Sequence, residues 1–84
     1  MVEIKFDKKS NKSNAYYNEV KIGECSFIEI GDNWNIIHTE VSDKYQGQGI
    51  AKKLVENIIE NAKIYNKRVI ADCSYAKKII ENKK

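Results

Sequence analysis

The stretch Lys44-Tyr45-Gln46-Gly47-Gln48-Gly49-Ile50-Ala51 places two of the chain's four glycines directly ahead of its most helix-like segment. Gly47 and Gly49 lack Cβ, so the backbone there can bend sharply and approach a ligand closely. The first-turn N–H groups of the following helix have no acceptor inside it. Such a loop presents a cradle of donors at the positive end of a helix, a setting that suits a pyrophosphate. Lys44, Lys52 and Lys53 add positive charge nearby. The pattern is not a Walker A loop, because no Gly-Lys-[Ser/Thr] follows. It is not a dinucleotide fingerprint either, because Lys52 holds the third glycine position. On the glycines alone, a flexible connection is the plainer reading.

Several other side chains are able to do chemistry. Cys73 lies just before a candidate helix start, where the helix dipole and free amides lower a thiol pKa from about 8.5. There it could act as an acid or as a nucleophile. Its plainer reading is a small buried hydrophobe at a strand end. Cys25 alternates with Phe27 inside a strand and reads as core. His38 is the only histidine. With an ordinary pKa of about 6.5 it could take a proton from an amine, or simply support the sheet. Glu40 shares its strand face two residues on and is an alternative base. Tyr75 reads plainly as helix-face packing.

Positioning these groups requires a sheet and a helix. Val2 to Phe6 alternates apolar and charged residues, the pattern of a half-buried strand. Asp7 to Asn14 is polar and reads as a loop, and Ala15 to Tyr17 as a short strand. Val20 to Ile30 and Trp34 to Val41 form a hairpin around Gly31-Asp32-Asn33. Apolar residues at 50, 51, 54, 55, 58, 59, 62 and 65 then make one continuous helical face, expected to pack on the sheet. Asn66-Lys67 breaks the helix, Arg68 to Ala71 is a short buried strand, and Ser74 suits the N-cap of a last helix over Tyr75 to Asn82. The order β-β-β-β-α-β-α predicts an α+β fold on a mixed sheet, antiparallel strands first and one parallel strand added after the helix.

The run His38 to Leu54, HTEVSDKYQGQGIAKKL, resembles the acetyl-CoA-binding core of the GNAT acetyltransferase superfamily. That superfamily carries [Gln/Arg]-x-x-Gly-x-[Gly/Ala] between a strand and a helix and holds the CoA pyrophosphate with its amides. Gly47 and Gly49 are taken as the two small positions, with Lys44 where Gln or Arg is usual. His38-Thr39-x-Val41, Gly47-x-Gly49-Ile50-Ala51 and Cys73-Ser74-Tyr75 together are similar to a minimal, single-domain GNAT-like N-acetyltransferase subfamily across almost the whole chain, as one domain over 1–84. Larger members carry N-terminal helices that help build the acceptor site, and none is expected here.

The resemblance implies that the strand Trp34 to Val41 splays from Arg68 to Ala71, with pantetheine in the opening like an extra strand. Thr39, Val41, Gln46, Gly47, Gln48, Gly49, Ile50 and Ala51 would bind acetyl-CoA. Amides near Thr39 to Val41 would hold the oxyanion. Cys73 and His38 would be catalytic, either by direct attack of an amine or through an acetyl-Cys73 intermediate, with Tyr75 a further candidate acid because many members use a Tyr near this place. The implied acceptor is a small-molecule or protein amine. The alternative is an acyl-CoA-binding or protein-interaction module with little turnover.

Composition bounds these readings. The chain has 84 residues, 42% hydrophobic and 32% charged, with no Pro, which excludes disordered and collagen-like classes. No apolar run approaches the roughly 20 residues of a membrane span, and the N-terminus lacks a signal-peptide apolar region. One His and no C-x-x-C predict no metal site. Fifteen basic against 12 acidic residues give +3, but Arg68 is the only arginine and the lysines are scattered, so no nucleic-acid face is expected. Two well-separated cysteines and no export signal predict a cytoplasmic, reduced setting, and a monomer is expected.

Overall fold

The computed structural model describes residues 1–82, so the expected domain over 1–84 extends beyond it by residues 83 and 84. Strands β1 (Val2–Asp7), β2 (Lys12–Tyr17), β3 (Val20–Ile30) and β4 (Asn33–Val41) come first. A 3₁₀ turn (Asp43–Tyr45), helix α1 (Ile50–Ile64), strand β5 (Arg68–Ala71) and helix α2 (Ser74–Asn82) follow. The sheet order is β1-β2-β3-β4-β5, antiparallel through β4, with β5 parallel to β4. The mixed α+β architecture is the one the sequence predicts.

Helix α1 lays Ile50, Leu54, Val55, Ile58 and Ala62 into the core, the apolar face that the 3.6-residue period foretells. It stops because Asn66 adopts φ 57°, the left-handed conformation that Asn tolerates, and Lys67 N–H turns back to Ala62 C=O at 2.8 Å. Ala76 and Ile79 of α2 join the same core. Both helices therefore cover one face of the sheet. Under them lies an aromatic stack: Trp34 is fully buried, its ring 4.3 Å from Phe27, 5.4 Å from Tyr65 and 5.7 Å from Phe6. Each such pair contributes about 0.5–1.5 kcal/mol beyond burial itself.

Two local expectations are corrected. The polar segment through Asn14 is not all loop, since β2 begins at Lys12. Ser13 pairs with Phe6 on one side and Cys25 on the other, and its Oγ donates to Asn57 Oδ1 of α1 at 2.9 Å. Ladder bonds on both edges of an internal strand override weak strand propensity. The turn is confined to residues 8–11, where the Asp7 carboxylate accepts from Ser10 Oγ and Lys9 N–H. At the last helix, Ser74 is the first helical residue rather than the cap. Cys73 C=O accepts the first helical bond, from Lys77 N–H at 2.9 Å.

Strand β4 contains one irregularity that decides which side chains face the helices. Ser26 pairs with His38 but Phe27 pairs with Ile36, so Ile37 is an extra residue with no partner on β3. Such a bulge reverses the inward–outward alternation beyond it. Trp34 and Ile36 face the helices before it, and Thr39 and Val41 do so after it. His38 and Glu40 are exposed on the opposite, outer face of the sheet.

Candidate active site

The parallel pairing of β4 with β5 covers only Asn33 to Ile36. Its end is marked by Ile36 C=O, which accepts from both Asp72 N–H (3.0 Å) and Cys73 N–H (3.2 Å). Asn35 Nδ2 ties the same corner by donating to Asp72 Oδ2 at 3.0 Å. From there the chain turns into α2, while β4 continues to Val41 paired with β3 alone. The β4 edge over residues 37–41 thus has no neighbouring strand among the described residues. Alternate residues of such an edge present N–H and C=O groups outward, a template for one more extended chain.

The open edge leads to the glycine loop. Gly47 (φ 81°) and Gly49 (φ 77°) are both left-handed. Gly49 is the N-cap of α1, no side chain caps the helix, and its first turn holds no acidic residue. The first intrahelical bond runs from Lys53 N–H to Gly49 C=O. The N–H groups of Ile50, Ala51 and Lys52 are left without a helical acceptor and favour an anion. Gln46 fastens the loop: its Nε2 donates to Val41 C=O and to Asp43 Oδ1, each at 3.2 Å.

These elements enclose a cleft of about 480 Å³. Of the residues assigned to the cofactor from sequence, Thr39, Val41, Gln46, Gly47, Gly49, Ile50 and Ala51 line it, and Gln48 does not. Tyr45 and Tyr75 complete the wall. Tyr45 was not singled out by the sequence reading. The signal available was an aromatic residue abutting the glycine pair, and its ring lies 5.8 Å from that of Tyr17. Lys44 is absent from the lining. The pattern [Gln/Arg]-x-x-Gly-x-[Gly/Ala] is also met two residues later, by Gln46-Gly47-Gln48-Gly49-Ile50-Ala51, whose Gln46, Gly49 and Ala51 all line the cleft.

Cys73, partly buried, comes to the cleft through Thr39, with its Sγ 3.7 Å from Thr39 Oγ1. Cys25 approaches the same hydroxyl from below, Sγ to Oγ1 3.4 Å. Burial pushes the Cys25 thiol up to about 11. His38 is not brought to Cys73 and borders neither cavity. Glu40 borders a second cavity of about 510 Å³ with Lys21, Glu24 and Asp43, and Val41 is a wall of both. Lys21 bonds Glu24 at 2.6 Å and holds its carboxyl below the ordinary range. No helix among the described residues is long and apolar enough to cross a membrane.

The family model described as GCN5-related N-acetyl-transferase matches residues 12–84. A GCN5-like protein from Staphylococcus aureus, assigned as an N-acetyltransferase, is 35% identical over 96% of this chain and 79% of its own, with a TM-score of 0.72. Two others share the fold at lower identity. The ribosomal-protein-S18-alanine N-acetyltransferase of Escherichia coli is 15% identical over 90% of this chain and 52% of its own (TM-score 0.73). The PaiA N-acetyltransferase of Thermoplasma acidophilum, in complex with coenzyme A, is 16% identical over 66% and 35% (TM-score 0.63). No curated protein matches.

Proposed function

The chain belongs to the GCN5-related N-acetyltransferase family, whose acetyl donor is acetyl-CoA, and on that premise we propose how its own residues carry out the transfer. The observation that carries the reading is the free edge of β4 running straight into the uncapped start of α1. The amides of Ile50, Ala51 and Lys52, with the left-handed glycines before them, hold the pyrophosphate. The β4 edge takes the amides of the pantetheine arm, which brings the thioester beside Thr39 and Cys73. Backbone N–H groups of that edge stabilise the oxyanion.

The acceptor amine forms the C–N bond as the C–S bond breaks, and the electron pair leaves on the CoA sulfur. Cys73 gives that sulfur its proton. The amine's surplus proton passes to the outer face, where Glu40 borders the second cavity. On this reading Glu40, which lines that cavity, is the base, and His38, two residues away on the same exposed face, is the alternative. With Glu24 bridged by Lys21 and Lys12, the carboxylates of Glu40 and Asp43 are what favour a cationic amine over an anionic acceptor at that entrance. Thiol chemistry at Cys73 fits the reduced cytoplasm, with the protein acting as a monomer.

Acetyl-CoA titration followed by amide NMR tests the binding half. Shifts are expected at 46–51 and along 37–41. No movement there at millimolar ligand refutes it. Turnover on an amine panel, compared with the uncatalysed rate, tests the chemistry: Cys73→Ala is expected to lose about a hundredfold in kcat. Intact mass after mixing with acetyl-CoA is expected to show no acetyl adduct, and a stable adduct on Cys73 would replace direct attack by a two-step transfer.

A further inference from the structure

We propose that Cys25, Thr39 and Cys73 form a reversible hydrogen-bond chain, in which Thr39 is the positioning residue that accommodates Cys73 both as thiol and as thiolate. The proposal rests on the reading above that Cys73 gives up a proton, and it adds two groups to which that reading assigns no such role. One hydroxyl, Thr39 Oγ1, sits between two sulfurs, 3.7 Å from Cys73 Sγ and 3.4 Å from Cys25 Sγ. A hydroxyl donates one hydrogen bond and accepts others, so it can face either neighbour.

When Cys73 is protonated, its S–H donates to Thr39 Oγ1 and the Thr39 O–H donates to Cys25 Sγ. When Cys73 has released its proton, the Thr39 O–H swings to the Cys73 thiolate and the Cys25 S–H donates to Thr39 Oγ1. No proton leaves Cys25 or Thr39, and no bond other than that of Cys73 breaks. Reversal requires the far sulfur to keep its hydrogen. Cys25 is fully buried and its thiol is pushed up to about 11, so it stays protonated at neutral pH.

The geometry is inherited from the bulge at Ile37, which turns Thr39 inward opposite Cys25 in the ladder. The other ionisable groups nearby lie elsewhere. On β4, His38 and Glu40 face outward. On β3, Glu24 is bonded to Lys21. On α2, Tyr75 borders the cleft. Asp72, preceding Cys73, is bonded to Asn35.

The test is the pH dependence of iodoacetamide alkylation at Cys73, read by peptide mass spectrometry without acetyl-CoA. Its failure is therefore separable from failure of the acetyl-transfer reading. Thr39→Val keeps the branched shape and removes the hydroxyl. It is expected to shift the alkylation profile to higher pH and slow modification at neutral pH by roughly three- to tenfold. Thr39→Ser is expected to restore the wild-type profile. Cys25→Ala is expected to shift the profile in the same direction but less, and Cys25→Ser to leave it near wild type. Melting temperatures of all four variants serve as the folding control. A Thr39→Val profile superimposable on wild type overturns the proposal, as does a Thr39→Ser profile that matches Thr39→Val.

Discussion

Replacing Gly49 by alanine is expected to strain the loop without touching any neighbour. Gly49 sits at φ 77°, and a Cβ built there meets no atom within 4 Å. The cost is therefore conformational, about 1–2 kcal/mol for an L-residue held left-handed. Against the roughly 4–13 kcal/mol expected of an 84-residue domain, that lowers Tm by about 4–16 °C. Asparagine offers an internal control, because Asn11, Asn18 and Asn66 already occupy φ of 56°, 49° and 57° in this chain. Gly49→Asn should thus keep more stability than Gly49→Ala. If the alanine variant relieves its strain by returning to negative φ, the amides of Ile50 and Ala51 turn away and CoA binding weakens as well. Thermal melts and calorimetric CoA titrations of the two variants check both effects. Alanine and asparagine variants that melt together at the wild-type temperature would refute the argument. A loss in both well beyond 2 kcal/mol would also refute it, since that requires a clash that is absent.

Cys25 should destabilise the fold in alkali: its thiol is raised from 9.0 to about 11, so the unfolded chain loses its proton first. Stability is full below pH 9 and falls by about 2–3 kcal/mol as pH rises to 11, a slope that urea melts should find missing in Cys25→Ala. Ser13→Ala should cost about 1 kcal/mol by removing the bond to Asn57, and a double-mutant cycle with Asn57→Ala should return a coupling energy distinct from zero. Glu40→Gln should lower kcat/KM and flatten its acidic limb more than His38→Gln does; the reverse order would return the base to His38. Acid should weaken the fold at Glu24, whose folded pKa lies below its unfolded value of 4.5, so that stability present above that value is lost as pH falls through the lower one. The acid limb of a pH–stability curve should be shallower in Glu24→Gln.

What was legible depended on how many residues voted together. The α1 face was plain because five buried residues repeat at one period, and the β3–β4 hairpin was plain because Gly31 turns at φ 58° between two long runs. The start of β2 was hidden, since Lys12, Ser13 and Asn14 carry no apolar signal and are held by neighbours distant in sequence. The cleft-lining residues were largely legible, because the glycine loop is local. The separation of His38 from Cys73 was not. It hangs on one unpaired residue, the second of the Ile36-Ile37 pair, and no composition or period marks Ile37 as extra.

That single residue acts in space as a frameshift does in a message. Were Ile37 paired with β3 as an ordinary ladder residue, every downstream side chain of β4 would stay chemically unchanged yet change faces. His38 and Glu40 would turn toward the helices, and Thr39 and Val41 toward the outer face. Which side chains share a face is thus encoded by a count of residues: deleting Ile37 would leave a regular ladder with the same faces, whereas inserting or deleting one residue elsewhere in the strand while the bulge persists would exchange them.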